Sequence, residues 1–115
     1  MSDRSDILLI EDMLESSEKI LTYVNDLDYH DFFSNTLIQD AVVRNFEIIG
    51  EASNRISESF RYLNPQISWN ELRGLRNRLI HEYFGVDYEI LWFIITNELP
   101  ELTFQFKLIV DENIE

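Results

Sequence analysis

The sequence predicts an all-α protein, an up-and-down bundle of four to five helices formed by residues 1–115 as a single domain. Three observations support this class. Apolar residues recur at the three-and-four spacing of helix faces, strand-like alternation is absent, and only three Gly and two Pro interrupt the chain. Because 45% of the residues are hydrophobic and 13% are aromatic, the chain belongs to the globular class and not to the disordered one.

Apolar stripes predict the first two helices. Over residues 7–24 the apolar side chains share one helix face, and acidic side chains cover the other. A longer stripe over about residues 33–63 predicts the second helix. Asn45 interrupts this stripe, and its buried amide needs a partner, either on another helix or beneath a functional site. Gly50 in the same helix indicates that another backbone comes close.

The third helix has a predicted beginning and a predicted end. Ser68 and Glu71 have the spacing of a capping box, so this helix is expected to begin at Trp69. It is expected to continue to about residue 83 or 84, where Gly85 supplies a natural stop.

A fourth helix is expected to begin directly after Asp87, whose side chain suits an N-cap, and to run to about residue 99. Pro100 then breaks or kinks the chain before a last amphipathic segment, which reaches about residue 111. These elements complete the predicted bundle.

Composition narrows the function classes. The formal net charge of −13 argues against a broad nucleic-acid surface, but five of the nine cations lie within positions 55–78. The chain has no Cys and two His, so neither a metal nor another cofactor is expected. The N-terminus lacks the basic region of a signal peptide, and no apolar run could span a bilayer. We therefore expect a cytoplasmic protein with no membrane contact.

The stretch from Arg76 to Tyr83 offers chemistry suited to an anionic substrate such as phosphate. Arg76 is a permanent cation, His81 can gain or lose a proton near neutral pH, and Tyr83 carries a phenol. On an ideal helix Arg76 and His81 point about 140° apart, so a single straight helix does not aim both at one target. A distorted helix end, long side chains, or a second copy of the motif across a two-fold axis would each solve this problem.

The string Arg76-Asn77-Arg78-Leu79-Ile80-His81-Glu82-Tyr83 resembles the R-x4-H-x-Y signature of HEPN domains, specifically of HepT-like toxins. Asn77 supplies the polar residue that follows the Arg in that pattern. The resemblance covers roughly residues 37–102. Its further matches are Ile48-Ile49-Gly50-Glu51-Ala52, Pro65, Ile67, Trp69, Gly74, Asp87, Trp92, Leu99 and Pro100.

This resemblance implies a homodimer with its active site at the dimer interface, and metal-independent endoribonuclease activity. The ribose 2′-hydroxyl would attack the adjacent phosphate and form a cyclic phosphate. Arg76 would bind the phosphate, His81 would transfer protons, and Asn77 would orient the substrate or the His. The family also implies a toxin-antitoxin system whose antitoxin is an MNT-type nucleotidyltransferase. In some members that partner adds AMP to the residue that Tyr83 matches.

Other residues receive weaker roles. Arg73 and Arg78 are expected to support the site or bind RNA, and Glu51 is expected to hold an arginine in place. The non-functional alternative for Arg76 is a salt bridge with an acidic neighbour: Glu47, Glu51 or Glu82. Two competing functions stay open: a non-catalytic HEPN module that binds nucleotide, RNA or a partner protein, and a structural helical dimer.

Overall fold

The computed structural model describes residues 3–81 and 85–113 of the chain. This part of the chain contains eight helices and one short two-stranded ribbon, so the predicted all-α class is confirmed. The helices are α1 (Asp3–Tyr23), α2 (Tyr29–Phe33), α3 (Thr36–Arg55), α4 (Glu58–Leu63), α5 (Trp69–Arg73), α6 (Leu75–Leu79), α7 (Tyr88–Asn97) and α8 (Leu99–Glu112). The ribbon pairs β1 (Ile80–His81) with β2 (Gly85–Val86).

The long helices α1 and α3 form the centre of the bundle, and α8 packs against α1. Their apolar stripes meet as the sequence predicts, and Ile10, Met13 and Ile49 are completely buried. Burial of apolar surface is the dominant favourable term in folding, so these stripes hold the bundle together. Helix α3 also contacts α5 and α6, so it supports the motif segment, which comprises residues 69–81 and 85–86.

The long second helix predicted over residues 33–63 is broken in the structure. Helix α3 ends at Arg55, Ile56 is extended, and Ser57 then caps α4 by accepting a hydrogen bond from the Phe60 amide. The buried Asp6 of α1 holds this break, because its carboxylate accepts bonds from the Ser57 amide at 2.9 Å and the Ser57 hydroxyl at 2.7 Å. A contact from a distant helix thus decides where α3 ends.

Two interruptions of the α3 stripe have local explanations. The amide of Asn45 is buried and donates to the Ala41 carbonyl oxygen of its own helix at 2.9 Å. Gly50 faces α5, and a Cβ added there would lie 3.7 Å from the Leu72 carbonyl oxygen. The close approach of another backbone, predicted from the helical Gly, is confirmed.

The single third helix predicted from residue 69 to residue 83 or 84 is wrong. The segment forms two five-residue helices, α5 and α6, with Gly74 between them. The capping box predicted at Ser68 and Glu71 is also wrong, since the Ser68 side chain makes no capping hydrogen bond. Short helices are marginal by themselves, so their directions depend on the rest of the bundle. Helix α3 contacts both of them, and α7 contacts α6.

The motif leaves helical geometry at Ile80, where the backbone is extended. Ile80 then pairs with Val86, and His81 pairs with Gly85. Gly85 has φ of 74°, which is the left-handed conformation that Gly tolerates best. It therefore serves a hairpin and not the predicted helix stop, although both roles favour Gly for the same reason.

The predicted start of the fourth helix is confirmed. The Asp87 side chain accepts a hydrogen bond from the Ile90 amide at 3.1 Å and caps α7. Pro100 lies in the first turn of α8. Backbone amides in a first turn have no acceptor within the helix, so a proline there costs no helical hydrogen bond. In the described residues, no helix is long and apolar enough to cross a membrane.

Candidate active site

Helix α6 carries three of the residues that the sequence singles out. Leu75 and Leu79 anchor it in the core, each with 3% of its surface exposed. At about 100° per residue, Arg76 and Arg78 flank this apolar line, each about 80° from it on opposite sides. The two arginines therefore face different parts of the molecule. Asn77, between them, is exposed.

On one side of α6, Arg76 lines a groove of about 120 Å3 between α6 and α3. Arg73 lines the same groove, and both arginines are exposed. Within residues 3–81 and 85–113, neither forms a salt bridge with a carboxylate. The structure thus brings Arg73 and Arg76 together with their guanidinium groups open to an incoming anion.

The opposite wall of this groove is formed by α3 and is partly apolar and partly polar. Val43 and Phe46 form its apolar part. Its polar part recurs at three-and-four spacing: Glu47, Glu51 and Asn54. Glu51 thus lies in the same groove as Arg76, although no salt bridge joins the two, and its role as a residue that holds an arginine stays a prediction. Sequence reasoning missed Asn54, and the regular spacing of this polar stripe is the signal that would have found it.

On the other side of α6, Arg78 is held by Glu98. Its two terminal nitrogens donate to the two Glu98 oxygens at 3.1 and 2.9 Å, and one also lies 3.9 Å from a Glu71 oxygen. Hydrogen bonding to the Glu98 carboxylate raises the pKa of the Arg78 guanidinium. This pairing favours a supporting role for Arg78 over RNA contact. Glu98 escaped sequence reasoning because no local pattern links residues 20 positions apart.

The Arg78–Glu98 pair lies at a second cavity of about 320 Å3, between the motif segment and the α7–α8 corner. Leu75 lines both this cavity and the α3 groove. On one side of α6, Arg78 is paired with Glu98, and on the other side Arg76 is exposed at the groove.

His81 follows α6 on strand β1, beyond the helical part of the motif. The ribbon is closed by the Asp87 amide, which donates to the Leu79 carbonyl oxygen at 2.7 Å. The angle of about 140° calculated for a straight helix therefore does not apply, because the helix ends at Leu79 before His81 is reached. The expectations for Tyr83 and Glu82 lie outside the described residues.

No group of three or more His, Asp or Glu side chains within the described ranges is placed to hold a metal ion. The candidate site consists instead of the α3–α6 groove with Arg73 and Arg76, and of the adjoining ribbon with His81. Ile80 connects the two parts, since it lines the groove and begins β1.

The fold and the motif define the class of all-α bundles with an R-x4-H motif at the end of a helix. The model of the HepT-like ribonuclease family matches residues 13–109. The chain belongs to this family, and the predicted resemblance is confirmed, as is the predicted enzyme class, ribonuclease.

Individual relatives agree with this assignment. The chain is 41% identical to "Putative RNase MJ1380" of Methanocaldococcus jannaschii over 95% of its own length and 100% of that protein. It is 40% identical to "Probable ribonuclease HepT" of Thermococcus cleftensis, with 85% of this chain and 89% of that protein covered. It is also 39% identical to "Putative RNase TTE0752" of Caldanaerobacter subterraneus, with 90% and 92% covered. No solved structure matches the chain.

Proposed function

We propose that this protein is the toxin of a toxin-antitoxin system and that it cleaves RNA internally without a metal ion. One observation carries the proposal: in a HepT-like chain, Arg76 is open at a groove and is followed on the adjoining ribbon by His81. An exposed guanidinium binds phosphate through paired N–H donors, and an imidazole transfers protons near neutral pH.

In the proposed reaction, the ribose 2′-hydroxyl attacks the adjacent phosphorus atom. A bond forms between phosphorus and the 2′-oxygen, and the bond to the 5′-oxygen breaks. One group removes the 2′-hydroxyl proton, and another donates a proton to the leaving 5′-oxygen. The products are a 2′,3′-cyclic phosphate and a free 5′-hydroxyl. Arg76 binds the phosphate and stabilises the negative charge that develops on it, and Asn77 orients the substrate or the His.

Proton removal and proton donation require two groups, and the motif supplies one His per chain. We therefore propose a homodimer in which a two-fold axis brings two copies of His81 to one RNA strand. One His81 acts as base and the other as acid. Arg73, in the same groove as Arg76, would bind a neighbouring phosphate of the strand.

The proposed antitoxin is an MNT-type nucleotidyltransferase that modifies Tyr83 with AMP. An AMP group two residues from His81 would add bulk and a phosphate charge near the proposed site, which would exclude RNA. Intact mass spectrometry of the chain co-expressed with its neighbouring gene product tests this step. An added AMP mass that disappears in Tyr83→Phe is expected, and an unchanged mass contradicts the modification.

The cleavage test uses end-labelled RNA with purified wild-type protein and with His81→Ala, in buffer that contains a chelator. Wild type should produce fragments ending in a cyclic phosphate, and His81→Ala should produce none while melting at the same temperature. Arg44→Ala is the matched control, because Arg44 is exposed on α3 and lies outside the groove. Equal cleavage by wild type and His81→Ala would refute the catalytic assignment. Sedimentation of the wild type as a monomer at micromolar concentration would refute the shared site.

The second candidate is a non-catalytic module that binds nucleotide, RNA or a partner protein. The formal charge of −13 and the carboxylates of Glu47 and Glu51 in the groove weaken attraction for RNA, so they favour a nucleotide or a partner protein as its ligand. This candidate predicts no RNA fragments in the same assay.

A further inference from the structure

Helix α6 cannot orient itself. It has five residues, begins at Leu75 after Gly74, which supplies no side-chain cap, and ends at Leu79. A helix this short is not stable in isolation, so its direction and its rotation about its own axis depend on tertiary contacts. Its two core anchors, Leu75 and Leu79, lie close to one line along the helix. A single line of apolar anchors constrains rotation about the helix axis only weakly.

The contact that opposes this roll is the Arg78–Glu98 pair. A bidentate arginine–carboxylate pair constrains direction as well as distance, and here the two hydrogen bonds measure 3.1 and 2.9 Å. Both side chains are two-thirds buried, with 33% of each exposed. The pair therefore differs from an exposed surface salt bridge, in which long side chains remain free to reorient.

Glu98 is a firm anchor for this contact. It joins α7 to α8: its amide donates to the Ile94 carbonyl oxygen at 3.0 Å, and its carbonyl oxygen accepts from the Leu102 amide at 3.1 Å. The other end of α7 is also tied to α6, through the Asp87 amide and the Leu79 carbonyl oxygen at 2.7 Å. The residues at both ends of α7, Asp87 and Glu98, thus bond to α6.

We propose that Arg78 and Glu98 form a positioning pair, which sets the roll of α6 and thereby holds Arg76 toward the α3 groove. Arg78 and Arg76 lie on opposite sides of the Leu75–Leu79 line. If the Arg78 contact is lost, rotation of α6 about its axis therefore displaces Arg76 as well. This inference rests on the proposed function for its effect on cleavage, but the orientation of α6 can be measured without any reaction.

The first test compares cleavage by Arg78→Ala, Glu98→Ala and the double variant. Misplacing a catalytic group by about 1 Å can cost about 100-fold, so each single variant should lose about 10- to 100-fold in kcat with little change in KM. The double variant should be no worse than either single one, because all three lose the same pair. Lys107→Ala is the control: it breaks the exposed Lys107–Asp111 pair of α8 and should keep full activity.

The sign of the Glu98→Ala effect separates this role from direct RNA binding. If Arg78 were an RNA ligand, removal of Glu98 would free its charge, lower KM and leave kcat unchanged, and that result would overturn the proposal. A purely structural pair would lower the melting temperature and leave kcat per folded molecule unchanged, which would overturn it as well. If Glu98→Ala does not fold, Glu98→Gln keeps the shape and loses one charged acceptor, and the same comparison applies.

The second test is independent of cleavage. Residual dipolar couplings of the α6 amides report the orientation of this helix relative to α3. We expect them to change in Arg78→Ala and Glu98→Ala and to stay constant in Lys107→Ala. Unchanged couplings in both pair variants would overturn the positioning role, whatever their activity. Absence of cleavage by the wild type would instead count against the proposed function, and the couplings alone would then decide this inference.

Discussion

The α1–α3 centre and the motif segment (residues 69–81 and 85–86) keep their shapes by different means. Helices α1 and α3 have 21 and 20 residues, and both bury long apolar stripes. The motif segment consists of two five-residue helices without side-chain caps, followed by two-residue strands. Its geometry depends on contacts from outside: Leu75 and Leu79 in the core, Glu98 on one side, and the Asp87 amide at the end.

Stability and the proposed chemistry therefore lie on different parts of this chain. Burial of apolar side chains stabilises the centre. Its polar groups are paired with each other, as the hydrogen bonds between Asp6 and Ser57 show. In the motif segment, Arg73 and Arg76 are exposed, so their side chains contribute little to the free energy of unfolding. Substitutions in the two regions should therefore affect different measurements.

The largest expected effect is on catalysis. Arg76→Ala should lower kcat for RNA cleavage by about 100- to 1,000-fold, because it removes the donors proposed to stabilise charge in the transition state. The free energy of unfolding should change by less than about 0.5 kcal/mol, since the side chain is exposed. Single-turnover kinetics and thermal unfolding measure the two quantities. Arg44→Ala serves as the matched control, and equal activity of both variants would contradict the role of Arg76.

A substitution in the α1–α3 centre should have the opposite effect, lowering stability and leaving activity unchanged. Asp6→Ala leaves the Ser57 amide and hydroxyl without their buried acceptor, so the free energy of unfolding should fall by about 2 kcal/mol. Urea unfolding measures this change, and Asp12→Ala, at an exposed position of the same helix, should stay near wild type. Activity per folded molecule should not change. A large loss of kcat in Asp6→Ala would show that the two regions are not separable.

Two glycines provide a test with opposite signs. Gly85→Ala places a side chain at φ of 74° and should cost about 1 kcal/mol. Gly50→Ala, in the middle of α3, should add up to about 1 kcal/mol, because its new Cβ would make only ordinary contacts at 3.7 and 3.9 Å. Thermal unfolding of both variants compares them. Stabilisation by Gly85→Ala would contradict the ribbon geometry.

The smallest expected effect concerns the groove wall. Glu51→Gln removes one negative charge from the groove that holds Arg76, so RNA should bind about threefold more tightly at low salt. The gain should vanish at high salt, where the charges are screened. Fluorescence anisotropy with labelled RNA and the non-cleaving His81→Ala background measures it. If Glu51→Gln weakens binding at every salt concentration, Glu51 does hold an arginine in place, as the sequence suggested.

Prediction from sequence succeeded where the signal was long or chemically distinct. The apolar stripes located α1, α3 and α8, and the Asp87 cap located α7. It located the beginning of α5 at Trp69 correctly, but it failed beyond that residue, where the chain up to Gly85 was interpreted as one helix. In a five-residue helix the local preferences are worth little, and Gly85 suits a helix stop and a hairpin equally.

The all-α class, the long helices and the motif that identifies the family can be recognised in the sequence, because each is encoded by residues that lie close together in the chain. The end of α6 at Leu79, the exposure of Arg76 and the pairing of Arg78 with Glu98 are features of the folded protein alone. They depend on contacts between residues far apart in sequence. Such contacts exist only after α7 and α8 have packed against the motif segment.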